Sequence, residues 1–144
     1  MLGLEHRIRQ RLIDTVPALA GAHGAVTLGV DDVGGKRLPA AFVVSDGHRV
    51  LETTAHGGVA RIASRWLVVV AVRNVQQASH GEAARADAAD LVRQCLQVLM
   101  GWQPRPGVQT LQPVTPPAPI YQDGLLLYPL SFEVGEVIQG VIKE

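Results

Sequence analysis

The fold is decided by residues 59–74, which read VARIASRWLVVVAVRN. β-Branched residues and a tryptophan fill this stretch, and this composition predicts a β-strand. Successive side chains of a strand point to opposite faces, and one face is apolar except for a serine: Ile62, Ser64, Trp66, Val68, Val70 and Val72. The other face is apolar in its middle and basic towards its ends: Arg61, Ala63, Arg65, Leu67, Val69, Ala71 and Arg73. A strand with two apolar faces needs cover on both sides, from its own fold or from a neighbouring subunit.

The segment before this stretch predicts two shorter strands. Residues 39–44 form a β-prone run, and Ser45-Asp46-Gly47 after it has the composition of a tight turn. The next strand is expected to begin near Val50. Residues 52–58 are small and polar with a glycine pair, and they predict the turn or bulge that leads into residues 59–74.

Two amphipathic helices are predicted, one near the start of the chain and one after the long strand. In the first, residues 4–16, an apolar residue recurs every four positions. These positions are Leu4, Ile8, Leu12 and Val16. The second helix covers residues 79–100, with Ser79 and Glu82 at the spacing of a capping box and Gly101 as its stop. The positions expected to pack on the sheet are Ala84, Ala88, Leu91, Cys95 and Leu99.

The last part of the chain predicts a loop and a hairpin. Six prolines in residues 102–119 leave only residues 108–111 to pair as a strand, at an edge of the sheet. Asp123-Gly124 has the composition of the favoured two-residue connection, and it joins residues 120–122 to residues 125–134 as a hairpin.

The order of elements is therefore helix, strands, long helix, strands. This order predicts a two-layer α+β fold, with two principal helices packed on one face of a mainly antiparallel β-sheet. The 144 residues suffice for one domain, in which residues 135–144 are expected to form a flexible tail. Hydrophobic residues make up 47% of the chain and charged residues 18%, which is enough apolar surface to exclude global disorder.

The charge balance bears on the class of partner. Thirteen Lys and Arg residues balance thirteen Asp and Glu residues, so no net field attracts nucleic acid or an anionic membrane. The longest apolar run, residues 66–72, is far too short to span a bilayer, and charged residues at the N-terminus argue against a signal peptide. Cys95 falls on an apolar helix face, which predicts an inert buried thiol and a reducing compartment.

The sequence predicts no catalytic, cofactor or metal site. Its five histidines share no metal-ligand spacing with one another or with the cysteine. They are His6, His23, His48, His56 and His80. Asp31-Asp32 beside Gly34-Gly35 lacks the ligand pattern of an EF-hand and the Ser or Thr of a phosphate loop. Ser45, Asp46 and His48 are close neighbours in sequence and cannot point at one another as a triad requires.

Two groups of charged residues are the candidates for an interaction surface. Arg61, Arg65 and Arg73 lie on one face of one strand, and two interpretations stay open. The strand ends emerge into solvent, or they form a subunit contact or a surface that faces a channel. The second group follows a short strand predicted at residues 26–30 and belongs to an exposed polar loop. Its members are Asp31, Asp32, Lys36 and Arg37.

Four stretches of sequence, spread over most of the chain, carry a family resemblance. They are PAAFVV at residues 39–44, GGV at 57–59 leading into WLVVVAVRN at 66–74, LMGWQP at 99–104, and YQDG at 121–124 with Phe132 on the closing strand. Together they resemble the phage tail terminator family, in particular its Mu-like branch of tail terminator and completion proteins. The similarity covers about residues 4–134 and consists of diffuse structural sequence motifs, without a catalytic signature.

The resemblance implies an α+β subunit that forms a hexameric ring on the end of the tail tube. Such a ring stops tube polymerisation and offers a platform for head attachment. The implied partners are further copies of the chain, the tail tube protein and a head-completion or connector protein, with DNA passing through the ring without specific binding. Neither a membrane nor an enzymatic activity nor a cofactor is implied, and the implied location is the virion tail, assembled in the host cytoplasm.

Two other function classes stay open from the sequence alone. A head–tail connector or another completion protein would share this size and composition. A small oligomeric ligand-binding module or enzyme would need a concave pocket with converging polar groups, which chain order does not reveal. The proline-dense residues 112–119 and the short ending after Val134 depart from the family pattern, and no functional residue transfers from the family.

Overall fold

The structure, a computed structural model, describes residues 3–25, 36–73, 81–122 and 124–141, with the backbone alone for residues 81–87 and 122. The elements in chain order are α1 (Leu4–Thr15), β1 (Gly21–Ala25), β2 (Ala40–Thr53), β3 (Val59–Arg73), α2 (Gly81–Leu99), β4 (Gln112–Val114), β5 (Ile120–Gln122) and β6 (Leu125–Gln139). The strands form one sheet in the order β1-β2-β3-β6-β4, and β5 also pairs with β6. All of these pairings are antiparallel except that of β1 with β2. The predicted α+β class is confirmed.

The predicted long strand lies at the centre of the sheet. β3 pairs with β2 on one side and with β6 along its whole length on the other. The six positions of its predicted apolar face, from Ile62 to Val72, are all buried. Trp66 pairs with Phe132 of β6, and both rings are almost completely inaccessible. Each ring removes about 150–250 Å² of surface from water, so this pair anchors the core between elements distant in sequence.

Both helices pack against this face of the sheet, as predicted. The buried positions of the first helix and the residue after it are Leu4, Ile8, Leu12 and Val16. Those of the second are Leu91, Cys95 and Leu99, with Ala88 half-buried against the same core. The capping pair Ser79 and Glu82, and Ala84, lie outside the described side chains. Gly101 takes a φ of +76° just after α2, in agreement with its predicted role as the stop.

The second face of the sheet is covered by the chain itself over half of its length. A second apolar cluster lies there, composed of Ala40, Phe42, Val69, Ala71, Leu125 and Leu127, with Leu38 packed against it. No member is more than 7% exposed in a single copy of the chain. The apolar middle of β3 therefore needs no neighbouring subunit to cover it.

The tight turn predicted at Ser45-Asp46-Gly47 is wrong, because β2 continues through it. Ser45 pairs with Trp66 before this point and His48 pairs with Ser64 after it, so β2 contains one residue more than β3 in the interval. Such an extra residue is a β-bulge, and Gly47 at a φ of +78° gives the backbone a conformation that residues with a Cβ rarely adopt. Turn-forming residues here reshape a strand without ending it.

The flexible tail predicted at residues 135–144 is wrong in its first half. Residues 135–139 continue β6 and pair with residues 59–63 of β3. The Gln109 side chain occupies the place where a Cβ at residue 135 would stand, and the Gln109 N–H donates to the Gly135 carbonyl oxygen at 2.8 Å. Any other residue at position 135 would have to displace the end of the Gln109 side chain, and the glycine hid the strand from composition alone.

The edge strand predicted at residues 108–111 is displaced. The pairing segment is β4, which follows these residues, while Val108 makes one isolated bridge with Glu136. Val108 and Leu111 are instead buried in the core.

β1 was not predicted, because its sequence GAHGA contains no β-branched residue. The strand predicted at residues 26–30 lies outside the described residues, whereas the predicted hairpin of β5 and β6 is confirmed.

Candidate interaction surface

One end of the sheet has exposed side chains on both faces, although Ile62, Ser64 and Val134 within it are buried. It consists of residues 46–65, which form the end of the β2–β3 hairpin, and residues 133–139, which form the end of β6; we call it the arm. Residues 40–44 of β2 are buried, whereas residues 45–50 of the same strand are exposed. The burial of β2 therefore ends where the arm begins.

The tip of the arm is closed by backbone hydrogen bonds. The Thr54 N–H donates to the Val59 carbonyl oxygen at 3.0 Å, and the Gly57 N–H donates to the Thr54 carbonyl oxygen at 2.9 Å. The Gly140 N–H donates to the Gly58 carbonyl oxygen at 2.7 Å, which attaches the end of β6 to the turn. The turn predicted at residues 52–58 is thus confirmed, and three strands of the arm are held together at their tip.

The predicted interface residue Arg65 belongs to an ion-pair network on the arm. Arg65 lies beside Glu133 in register, and its guanidinium is 3.3 Å from the carboxylate. Arg49, which sequence reasoning missed, reaches the same carboxylate from β2 at 3.0 Å. Ala63 of β3 lies in register with Arg49, so a small side chain stands between Arg49 on β2 and Glu133 on β6. The Glu133 side chain is only 12% exposed, so two cations offset the cost of its burial.

The same network shifts the ionisation of the carboxyl group. The hydrogen bond from Arg49 is the main cause that holds the pKa of Glu133 below its ordinary value. Burial acts in the opposite direction, and Arg65 adds to the lowering through its own hydrogen bond and charge. Glu133 is therefore ionised at neutral pH, and it is the group that orders two otherwise solvated arginines.

Two further ion pairs brace the arm. Arg61 binds Glu52 across the hairpin at 2.9 Å, and Arg105 binds Glu136 of β6 at 3.4 Å. The side chains of Arg61 and Glu52 are 47% and 68% exposed, so their pair adds well under about 1 kcal/mol to stability. The arginines of the arm are therefore engaged within their own subunit, and their role there is to hold strands in place.

The structure separates the predicted interface residues into two places. Arg61 and Arg65 lie on the arm, whereas Arg73 is exposed at the opposite end of β3, about 26 Å from Arg65 along an extended strand. Lys36 and Arg37 are exposed and precede β2, whose first residue pairs next to that same end of β3. Asp31 and Asp32 lie outside the described residues. The predicted interface residues therefore do not form one continuous patch.

Apolar side chains at the arm are the feature that sequence reasoning missed. The register places Val50 and Ile138 on the face that the helices use further along the sheet, and Val137 on the opposite face. All three are among the exposed large hydrophobic residues of the described chain, together with Val141 just beyond the arm. A signal was present in FEVGEVIQ at residues 132–139, where charged and β-branched residues alternate, but the glycine obscured it.

The described part of the chain holds little that suits catalysis. No cluster of three or more His, Cys, Asp or Glu side chains there could hold a metal ion. Burial raises the pKa of the Cys95 thiol to about 11, so the thiol is protonated and inaccessible at neutral pH. No described helix is long and apolar enough to cross a membrane.

A cavity of about 420 Å³ lies between α1 and Trp102. It is lined by His6, Arg7, Gln10, Arg11, Asp14, Thr15 and Trp102. The Arg11 guanidinium donates to the Val98 carbonyl oxygen at 3.0 Å and stacks over the Trp102 ring at 5.3 Å. The Thr15 hydroxyl donates to the backbone of Arg11. These groups connect the two helices, and no nucleophile and base among them lie paired for acyl or phosphoryl transfer.

Comparison with known proteins gives the family. The sequence model of the family described as "Phage tail terminator protein" matches residues 5–143. The chain belongs to the phage tail terminator family. It is thus a structural protein of a bacteriophage virion, located in the tail. The match is to the family as a whole, so membership of the Mu-like branch stays a prediction.

A solved structure shares the fold of this tail terminator family member. It is a chain from the "Virion of native gene transfer agent (GTA) particle", and the two superpose with a TM-score of 0.51 at 18% sequence identity. The alignment covers 93% of this chain and 94% of the other. No curated protein matches the sequence. The likeness at this identity concerns the arrangement of helices and strands, and it agrees with the mixed sheet described above.

Proposed function

We propose that six copies of this tail terminator chain, each folded as one domain, close into a ring on the end of the tail tube. The ring stops tube polymerisation and provides the platform on which a head-completion or connector protein binds. Family membership is the observation that supports this most directly. The role of such a family member is assembly, and we propose that the chain has no enzymatic activity.

The proposed mechanism is geometric. Head-to-tail contacts between identical copies close a ring when the rotation per subunit divides a full turn. One face of the ring matches the last ring of the tube, and the other face presents a different surface, so another tube ring cannot bind there. Growth stops for this reason, while DNA passes through the lumen without sequence-specific contacts.

The two separated groups of predicted interface residues fit two different contacts. Arg61 and Arg65 lie on the arm, which we assign to the contact between subunits. Arg73, Lys36 and Arg37 lie at the opposite end of the sheet, and Asp31 and Asp32 precede them in the chain. We assign this second group to the contact with another virion protein, either the tail tube protein or the head-completion protein.

Tail assembly with and without the protein tests this function. Tube protein and purified terminator are mixed, and tube lengths and ends are measured by electron microscopy. We expect a ring at one end of each tube and a narrow length distribution, while tube protein alone gives long tubes of variable length. Tubes that grow unchanged in the presence of the protein would contradict a terminator role. Normal tubes that fail only to join heads would identify a connector instead.

A further inference from the structure

The arm carries apolar surface that a single copy leaves in water. Val50 is 56% exposed, Val137 is 59% exposed and Ile138 is 41% exposed, although all three lie in paired strands. Val141 follows directly and is 84% exposed, and the hydrogen bond of Gly140 to Gly58 holds the chain beside the turn at that point. Four of the eight exposed large hydrophobic residues of the described chain thus gather at one end of the molecule. Apolar side chains gathered in this way mark an interaction site.

The charges around these side chains leave no net field. The ion pairs of the arm involve the cations Arg49, Arg61, Arg65 and Arg105 and the anions Glu52, Glu133 and Glu136. Asp46 on the same strand end completes four positive and four negative groups. A partner with a strong charge, such as nucleic acid, gains no electrostatic attraction from such a surface.

Neutrality combined with apolar surface favours one kind of occupant, a second copy of this chain. A neutral arm meets no net repulsion from another copy when that copy carries no excess of either charge. The whole chain is balanced as well, with thirteen cationic and thirteen anionic residues. Contacts between permanently associated copies are also more apolar than other protein surfaces.

We propose that Val50, Val137 and Ile138 form the apolar centre of the contact between neighbouring copies, with Arg61 and Arg65 at its rim. Because side chains on both faces of the arm are uncovered, the arm inserts between two elements of the next copy and does not merely lie against one. The contact is head-to-tail, since the arm meets a different surface of its neighbour. This inference rests on the proposed ring and adds the residues that close it.

The test replaces apolar with hydroxyl-bearing side chains of similar, β-branched shape. The test variant carries three substitutions, Val50→Thr, Val137→Thr and Ile138→Thr, and keeps the β-propensity of each strand. The control variant, Ile120→Thr, makes the same kind of change on β5, away from the arm, at a side chain that is 52% exposed. Self-association is measured by sedimentation velocity, with and without tail tubes, and folding by thermal unfolding. We expect the triple variant to associate at least about 50-fold more weakly at an unchanged Tm, while the control associates like the original protein.

A second measurement identifies the occupant directly. A thiol is introduced with Val137→Cys, and a bifunctional thiol-to-amine reagent is added to assembled tails; the buried Cys95 does not compete. We expect products that contain two copies of the chain. Products that join the chain to tube protein alone would overturn the assignment to a second copy. Two sedimentation results would overturn it as well: equal self-association of the triple variant and the original protein, or no self-association of the original protein with or without tail tubes.

The outcomes also separate this inference from the proposed function. Rings that depend on the three arm residues but leave tube growth unchanged would support the inference and contradict the capping role. Tubes that are capped normally by the triple variant would support the capping role and overturn the inference.

Discussion

Glu133→Gln should weaken the fold by a defined amount and only where the carboxyl group is ionised. The change removes the charge that holds Arg49 at 3.0 Å and Arg65 at 3.3 Å while keeping the size of the side chain. Ion pairs with exposed cations contribute about 0.2–1 kcal/mol each, and these arginine side chains are 64% and 43% exposed. We therefore expect the free energy of unfolding to fall by about 1 kcal/mol at pH 7, equivalent to a Tm lower by ~2–4 °C.

The pH dependence follows from the direction of the pKa shift. The pKa of Glu133 is lower in the folded chain than its ordinary value of 4.5, so its ionisation stabilises the fold above that ordinary value. The stabilisation is lost as the pH falls through the folded pKa, because the carboxyl group then becomes neutral in both states. Urea unfolding of the original protein and of Glu133→Gln should differ at pH 7, and the difference should shrink as the pH falls through the folded pKa of Glu133.

A matched control separates this network from ordinary surface charge. Glu52→Gln removes the partner of Arg61, but the Glu52 side chain is 68% exposed and its pair is screened by water. Its effect on unfolding at pH 7 should be only a few tenths of a kcal/mol. Equal effects of Glu133→Gln and Glu52→Gln at pH 7, or an effect of Glu133→Gln that does not decrease as the pH falls below 4.5, would refute the argument that the buried Glu133 carboxylate holds the arm together.

Three further predictions concern the core, the thiol and the predicted interface arginines. Leu91→Asp places an unpaired charge in the core and should lower the free energy of unfolding by about 4 kcal/mol. The control Gln97→Asp, on the exposed side of α2, should change the free energy of unfolding little. Equal urea midpoints for the two variants would contradict the packing of α2. Cys95 should not react with a thiol reagent at pH 8 in the folded protein, because its thiol is buried, and it should react fully in urea. A rapid reaction without urea would show that α2 is not packed as described. Arg65→Glu should leave the subunit folded but disturb tail length in a complementation assay. Tails of uniform normal length from both Arg65→Glu and Arg73→Glu would show that these arginines are ordinary solvated residues.

The buried half of the fold could be predicted from the sequence because its patterns are local and strong. A four-residue apolar repeat such as Leu4, Ile8 and Leu12 permits few interpretations, and all three side chains are buried. The same holds for the β-branched stretch that became β3. The burial of both faces of β3 was also predictable, although only the structure shows that the chain itself supplies the cover over the second cluster.

The arm could not be predicted, because what defines it is pairing between distant residues. Glycine normally indicates a turn, yet Gly47 lies in a bulge and Gly135 inside a strand, each for a reason that involves other parts of the chain. The ion pair of Arg49 with Glu133 joins residues 84 positions apart. Sequence reasoning located Arg61 and Arg65 correctly on one face but assigned Arg73 to the same group, because alternation specifies a face and not a distance.

The register of β2 has a consequence for how the arm tolerates changes in length. β2 carries one extra residue relative to β3 between Ser45 and His48 and another between Val50 and Glu52. Each extra residue exchanges the two faces for everything that follows, so Arg49 faces Glu133 only because the first bulge precedes it. Deleting one residue between Ser45 and His48 would remove the bulge and leave Arg49 opposite Ala63, whereas deleting two residues would shift the pairing by one and turn Arg49 away from the charged face. Relatives whose hairpins differ in length by a single residue are therefore expected to have gained or lost a bulge, with the two faces of the arm unchanged.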